Sequence, residues 1–419
     1  MKCGRSKETM PYKKPGVIVL GPAWHSCGTH QVHKAQISAY QSLNYEVYFL
    51  AVCPYYTLVG EARGYWKTYL ASTTDISAPF RGEAKLPPST LLSPIILLDR
   101  LKNLSRTPMY ARSVVAKYSV LPNSLRDFCS SHYVALIHCN HYFNLSLAKQ
   151  ILPSACGAKI VCETHDIQSR HMIKSNSWGL TRKSGRSFED YLADEVACAS
   201  EADEFVHLNE DEFSVLNNAL PNKKHYLIFP SVQRPTAPPP EIQDVDFLIV
   251  SSANTPNFNS LKWFLQNVWD TELQQTAKLR IVGNIVNDFK ADYPQLLTQY
   301  GSCFVGRVKD ISEWYGRSKA VLAPVIEGEG ISIKMVEAIS YGKPVFFSPQ
   351  ALRGMNKEMK DFFVEGQCDT AAEFKECLKS TVRRVQIAAK RQPKSKSLEA
   401  YEKFFSPEIY RARIAELLI

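Results

Sequence analysis

The sequence has no Cys-x-x-Cys pair and no cysteine or histidine spacing suited to a metal, although it contains eleven cysteines. An odd, unpatterned set of thiols argues against a disulfide framework or a zinc module and points to a reducing compartment. Long apolar runs are missing as well. The stretch after the basic N-terminus, "GVIVLGPAW", is too short for a signal core and reads as a strand. The longest later run, "SPIILL", is far below the ~20 residues that cross a bilayer. No internal repeat and no recognisable nucleic-acid module stands out, so nucleic acid is not an expected partner. The expected location is cytoplasmic.

Charge is only mildly unbalanced, at +9 with 22% charged residues. The basic residues are spread out except for "STVRRVQIAAKRQPKSKS" at 380–397. That run is a solvated helix face and loop, or a surface that touches anionic lipid from the inner side of a membrane; both stay open.

What is present is the composition of a packed protein, 45% hydrophobic over 419 residues, enough for two α/β domains. From Val17 the chain alternates apolar runs with helical spacing: "GVIVL", a loop over 21–30, "EVYFLAV", then "VALIHCN", "AKIVCET", the loop "HDIQSRH" and a long helical stretch "SFEDYLADEVACASEADEFVHLNEDEFSVLNNAL". This is the alternation of a doubly wound sheet, whose ligands sit at the carboxyl ends of strands. The proline-rich "PSVQRPTAPPPEIQDV" at 230–245 reads as a linker. Beyond it the alternation resumes with "DFLIVSSAN", "KLRIVGN", "CFVGRVKD", "VLAPV" and "PVFFSP". The expected organisation is two Rossmann-like domains, 1–235 and 236–400, with terminal helices over 401–419.

The most informative stretch is "EGEGISIKMVEAISYGKPV" at 327–345. It reads as a loop leaving a buried strand, a short helix over 332–341, a stop at Gly342 and a new strand. Gly328 and Gly330 flank Glu329 and allow close backbone approach to a ligand. Lys334 lies at a helix start, where backbone N–H groups favour a phosphate, and Glu337 is suited to two ribose hydroxyls. Residue by residue, a solvated loop glutamate and an i, i+3 surface pair worth ~0.2–0.5 kcal/mol are equally compatible.

As a set, the motifs resemble the retaining family 4 glycosyltransferases of GT-B fold. The 327–345 stretch is similar to their E-x7-E signature, in the variant with Gly328, Gly330, Lys334, Glu337 and Ala338. "SSANTPNFNSLKWFLQNVW" resembles the first loop and helix of their C-terminal domain, and "LRIVG" the next strand. "FVGRVKDISEWYGRSKAVLAPV" resembles their nucleotide-base segment, and "ETHDIQSRH" their histidine loop. The resemblance is strong over 247–349, moderate over 159–229 and weak before that.

The resemblance implies transfer of a sugar from a nucleotide-sugar donor to a saccharide, lipid-linked or other hydroxyl acceptor, with retention at the anomeric carbon. Glu337 would hold the ribose, Glu329 the donor sugar and Lys334 the leaving diphosphate. Gly328, Gly330, Ile331 and Ser332 would lie along the donor, Gly306, Arg307 and Val308 at its base, and His165, with Asp166 beside it, near its sugar. Gly28, with Thr29 and His30, could touch phosphate or acceptor, while Trp24 and His25 pack or line the acceptor side. One departure is visible: where relatives carry an Arg and a Lys, this chain has Asn254, Asn257 and Asn259, with Lys262 on the following helix. Asn257 is the donor-side candidate there. The Asp244–Asp246 pair imitates a metal-binding DxD but stands at a strand start, so neither a metal nor a cofactor is expected. Two rivals share the fold: a nucleotide-sugar epimerase and a non-catalytic nucleotide-sugar-binding protein.

Overall fold

The computed structural model describes residues 13–23, 28–52, 76, 78–85, 87, 94, 98, 117–155, 157–174, 186–234, 242–387 and 396–419. Trp24, His25, the centre of the proline-rich linker and part of the basic run therefore lie outside the described residues.

The N-terminal sheet contains β1 (Lys14–Pro22), β2 (Glu46–Val52), β3 (Phe80–Ala84), β4 (His132–Asn140), β5 (Lys159–Glu163), β6 (Glu204–His207) and β7 (Lys224–Leu227). Its order is β3-β2-β1-β4-β5-β6-β7, and each pairing is parallel. The C-terminal sheet contains β8 (Val245–Val250), β9 (Leu279–Val282), β10 (Phe304–Gly306), β11 (Ser318–Ala323) and β12 (Val345–Phe347). Its order is β10-β9-β8-β11-β12, again all parallel. Strand order reverses between β1 and β4 in the first sheet and between β8 and β11 in the second. Those two reversal points are where a doubly wound sheet leaves a crevice at its carboxyl edge.

β1, β2 and β4 are nearly continuous apolar runs because helices cover both faces. The long helical stretch expected over 187–220 is instead two helices, Phe188–Ala199 and Glu210–Ala219, with β6 between them. Ser187 and Asp190 form a capping box at the first start, and Asn209 accepts from the Glu212 N–H at the second. The Asn209 cap starts the second helix afresh after the first has ended at Ala199, and "EFVH" joins the sheet between β5 and β7. Likewise, the first loop ends sooner than expected, since Gly28–His30 already form the first turn of helix Gly28–Ser42.

One apolar cluster crosses the domain boundary: Val32, Leu208 and Val232 from the first domain meet Ile331, Met335 and Leu352 from the second. The chain then returns. Ala400, Tyr401 and Phe405 join that cluster, while Tyr410, Ile414 and Leu417 are buried in the first domain with Val17, Val19 and Tyr40. The outgoing and returning segments are bonded to each other, Ser231 Oγ donating to the Phe405 carbonyl at 2.6 Å and Tyr401 O–H to the Val232 carbonyl at 2.7 Å.

Candidate functional site

Helix Ile333–Ser340 places the signature residues. Its Met335, Val336, Ala338 and Ile339 are buried, and Gly342, at φ 65°, stops it. Lys334 and Glu337 lie on the opposite side, only partly open to solvent. Tyr315 O–H donates to Glu337 Oε2 at 3.0 Å, and the Tyr315 ring stacks on Tyr341 with centroids 4.2 Å apart. Burial raises the Glu337 carboxyl above its ordinary range, against the Tyr315 bond and Lys334. Burial, reinforced by Arg353 and opposed by Glu337, brings Lys334 down to about 7. The pair is thus not the solvated i, i+3 pair that spacing alone allows.

The glycines act at the domain contact. Gly330 has φ 65°, and a Cβ there would lie 3.0 Å from the His165 carbonyl oxygen. A Cβ on Gly28 would lie 2.9 Å from Ile333 Cγ1, so the starts of the two cleft helices approach at the limit of van der Waals contact. Between the glycines, Glu329 Oε2 stands 3.9 Å from Arg170 Nη1 of the other domain. Arg353 donates from Nε to the Glu329 carbonyl and from Nη1 to that of Gln350, both at 3.2 Å, while Gln350 Nε2 donates to the Gly328 carbonyl at 3.2 Å. Arg170, Glu212, Glu329 and Arg353 line a recess of about 160 Å³. Burial and Asp166 raise Glu212 to about 8, against bonds from Thr164 and Asn209.

His165 follows β5 with φ 65°. Its Nε2 meets Asn140 Oδ1 at 2.7 Å, and its ring stacks on His141 with centroids 4.3 Å apart. Burial and His141 lower it to about 3, against Glu163 and Asp166, so the imidazole is neutral.

The structure brings His165, Gly330 and Glu329 together and distributes the remaining candidates. Glu337 opens into a recess of about 480 Å³ shared with Lys34, Asp310, Tyr341 and Arg411. Lys334, Ser332 and Asn257 line a third of about 40 Å³. Ile331 is packed in the interdomain cluster. Gly306, at φ 85°, accepts at its carbonyl from the Gly283 N–H at 2.8 Å; Arg307 is exposed and Val308 packs against the interdomain cluster. Asn257 Nδ2 bonds to the Ser252 carbonyl at 2.8 Å and its Oγ at 3.1 Å, which fixes the loop after β8. Asn254 caps helix Thr255–Asn267, Asn259 bonds to Glu327, and Lys262 donates to Tyr293 O–H at 2.8 Å, so its charge is directed away from Lys334's recess. Asp244 pairs with Arg317 and Lys278, and Asp246 with Lys319, an ion-pair use of the DxD. Among the described residues no His, Cys, Asp and Glu group is placed to hold a metal. No described helix is long and apolar enough to cross a membrane.

Arg353, Arg170 and Tyr315 were not among the sequence candidates. Tyr315 sits inside the quoted base segment and Arg170 inside the quoted histidine loop, while Arg353 follows β12; no spacing ties either arginine to Glu329.

The whole chain resembles solved glycosyltransferase structures. It shares 15% identity with Anabaena Alr3699/HepE in complex with UDP-glucose, at TM-score 0.58, covering 97% of this chain and 99% of that one. WaaG, a glycosyltransferase involved in lipopolysaccharide biosynthesis, gives 12% identity and TM-score 0.58 over 96% and 99%. A Rickettsia africae glycosyltransferase gives 14% and 0.53 over 97% and 98%. No curated protein matches. At these identities the likeness establishes the fold: two parallel-sheet α/β domains in the GT-B arrangement. Residues 244–383, which carry Glu329, Lys334 and Glu337, match the family model described as Glycosyl transferases group 1.

Proposed function

We propose that this protein transfers a sugar from a nucleotide-sugar donor to a hydroxyl acceptor, saccharide or lipid-linked, with retention at the anomeric carbon. The observation that carries this is the apposition of His165 with the Gly328–Gly330 loop, at the carboxyl edges of both sheets and beside the start of helix Ile333–Ser340. That UDP-glucose is bound by a protein of the same fold supports the choice of donor class.

In this reading Glu337, oriented by Tyr315, holds the ribose, and Gly306–Val308 face the base. Lys334 and the N–H groups of the helix start receive the diphosphate, whose departure is the step that most needs electrostatic help. Glu329 and His165 hold the donor sugar from opposite domains. Apposed domains exclude water, which would otherwise hydrolyse the donor. With asparagines at the usual cationic positions, Lys334 and Arg353 are, among the described residues, the cations assigned to the phosphates. The reaction uses no metal.

A thermal-shift panel of nucleoside diphosphates and their sugars identifies the donor, since binding to the native state raises the melting temperature. NMR of the product then reads the anomeric configuration. Inversion, or release of an isomerised free sugar, would replace this reading with another GT-B chemistry; binding without donor consumption would leave a binding protein.

A further inference from the structure

Below His165 lies a set of buried polar groups from β4, β5 and helix Gly28–Ser42, with Glu163 Oε1 3.5 Å from His165 Nε2. Asn140 Nδ2 donates to the Leu20 carbonyl at 3.1 Å and to Gln36 Oε1 at 3.0 Å. That uses both amide hydrogens and fixes which way the amide faces. Asn140 Oδ1 then receives Gln36 Nε2 at 2.9 Å and His165 Nε2 at 2.7 Å. The second Gln36 hydrogen goes to Glu163 Oε2 at 2.8 Å. Glu163 Oε2 also faces His138 Nε2 at 3.0 Å, and His138 Nδ1 lies 2.8 Å from Tyr40 O–H. All these residues are buried, so each hydrogen has to be accounted for.

The accounting has one solution at His165. An oxygen that accepts from Gln36 offers His165 only an acceptor, so Nε2 carries a proton, and because burial keeps the ring neutral Nδ1 carries the lone pair. Nδ1 has no hydrogen-bond partner among the described residues. Building on the function proposed above, we infer that Asn140, held by Gln36 and Glu163, is a positioning residue: it sets His165 as a neutral imidazole whose Nδ1 accepts a hydrogen bond from a hydroxyl of the donor sugar. A carboxylate in place of the amide would favour the imidazolium, which has no lone pair for that hydroxyl. The groups around the ring are Glu163 and Asp166, which favour charge, and His33, His138 and His141, which oppose it.

The test is 15N NMR of histidine-labelled full-length protein, with transfer rates followed from pH 5 to 8. The expected result is an Nε2–H signature for His165 that does not titrate in this range. Asn140→Asp is expected to bring the titration into the range, to add an acid limb to the rate profile and to lower kcat on the order of tenfold with KM little changed. Gln36→Leu, which removes two of the bonds that hold the amide and leaves only the Leu20 carbonyl besides His165 itself, is expected to lower kcat in the same direction without the acid limb. An Nδ1–H signature, or titration of His165 in the native protein, would overturn the inference even if Asn140→Asp failed to fold. A folded Asn140→Asp with an unchanged profile would do so too. The tautomer is read without turnover, so this result is separate from donor consumption, on which the glycosyl-transfer reading stands.

Discussion

Lys334 offers the sharpest test of the site. Burial, aided by Arg353, brings its ammonium down from 10.5 to about 7 in the unliganded protein, despite Glu337 beside it. A bound diphosphate supplies negative charge at that position and returns the lysine towards its ordinary range, so binding takes up a proton above neutrality. If only the protonated form binds, affinity follows the protonated fraction, roughly three quarters at pH 6.5 and roughly one thirtieth at pH 8.5. The ratio is ~25-fold, or ~1.9 kcal/mol. A nucleotide-sugar is the right probe, because its diphosphate is esterified at both ends and does not itself titrate there. Calorimetry at four pH values, each in two buffers of different ionisation enthalpy, measures affinity and proton uptake together. Lys334→Arg, whose charge is fixed, should bind with little pH dependence, and Lys334→Met should bind weakly throughout. A native affinity that is flat from pH 7 to 8.5, or the same slope in Lys334→Arg, would refute the argument.

Other outcomes follow from the same contacts. Tyr315→Phe removes the hydrogen bond to Glu337 and should lower stability by about 1 kcal/mol in denaturant titration while weakening nucleotide binding more than it slows transfer. Gly330→Ala forces φ 65° on a residue with a Cβ against the His165 carbonyl; it should cost about 1–2 kcal/mol and raise KM, and an unchanged KM would detach this loop from the donor. Asp244→Ala should lower the melting temperature by a few degrees with turnover within about twofold, as for a partly exposed ion pair; lost turnover restored by a divalent cation would reinstate the metal-binding interpretation. Removal of 407–419 deletes three buried apolar side chains, Tyr410, Ile414 and Leu417, each worth about 1.5–3 kcal/mol, and uncovers the cluster of Val17, Val19 and Tyr40 beneath them, so the shortened chain should unfold at a clearly lower temperature.

Much of this was legible because its signal is local. β2 coincides with "EVYFLAV", β8 takes in "DFLIV" with Val245 before it, and the spacing of Glu329, Lys334 and Glu337 identified the loop and helix that form the cleft edge. β6 was missed because four residues of strand lie between two strong helix patterns, and only the Asn209 cap marks the second start. The supporting residues were out of reach for a different reason. Gln36 and His138 are 102 positions apart, and Gln36 and Glu163 are 127 apart; they meet because β4 and β5 lie beyond β1 in the sheet order. Periodicity assigns a residue to a face, but it does not say which distant strand lies beside it. Burial had the same effect at Lys334, where the sequence gives the position and only the packing changes the proton affinity.

The paired crossing has a mechanical consequence. With 231–232 and 401–405 bonded to one another, the outgoing and returning segments form, among the described residues, one doubled seam rather than two independent tethers. Relative motion is thereby reduced towards one rotation about that seam, and twisting or sliding would have to break buried hydrogen bonds. Opening would separate Gly330 from His165 and Gly28 from Ile333 together, so the path along which the sites part is set by the returning chain rather than by the residues that meet the substrate.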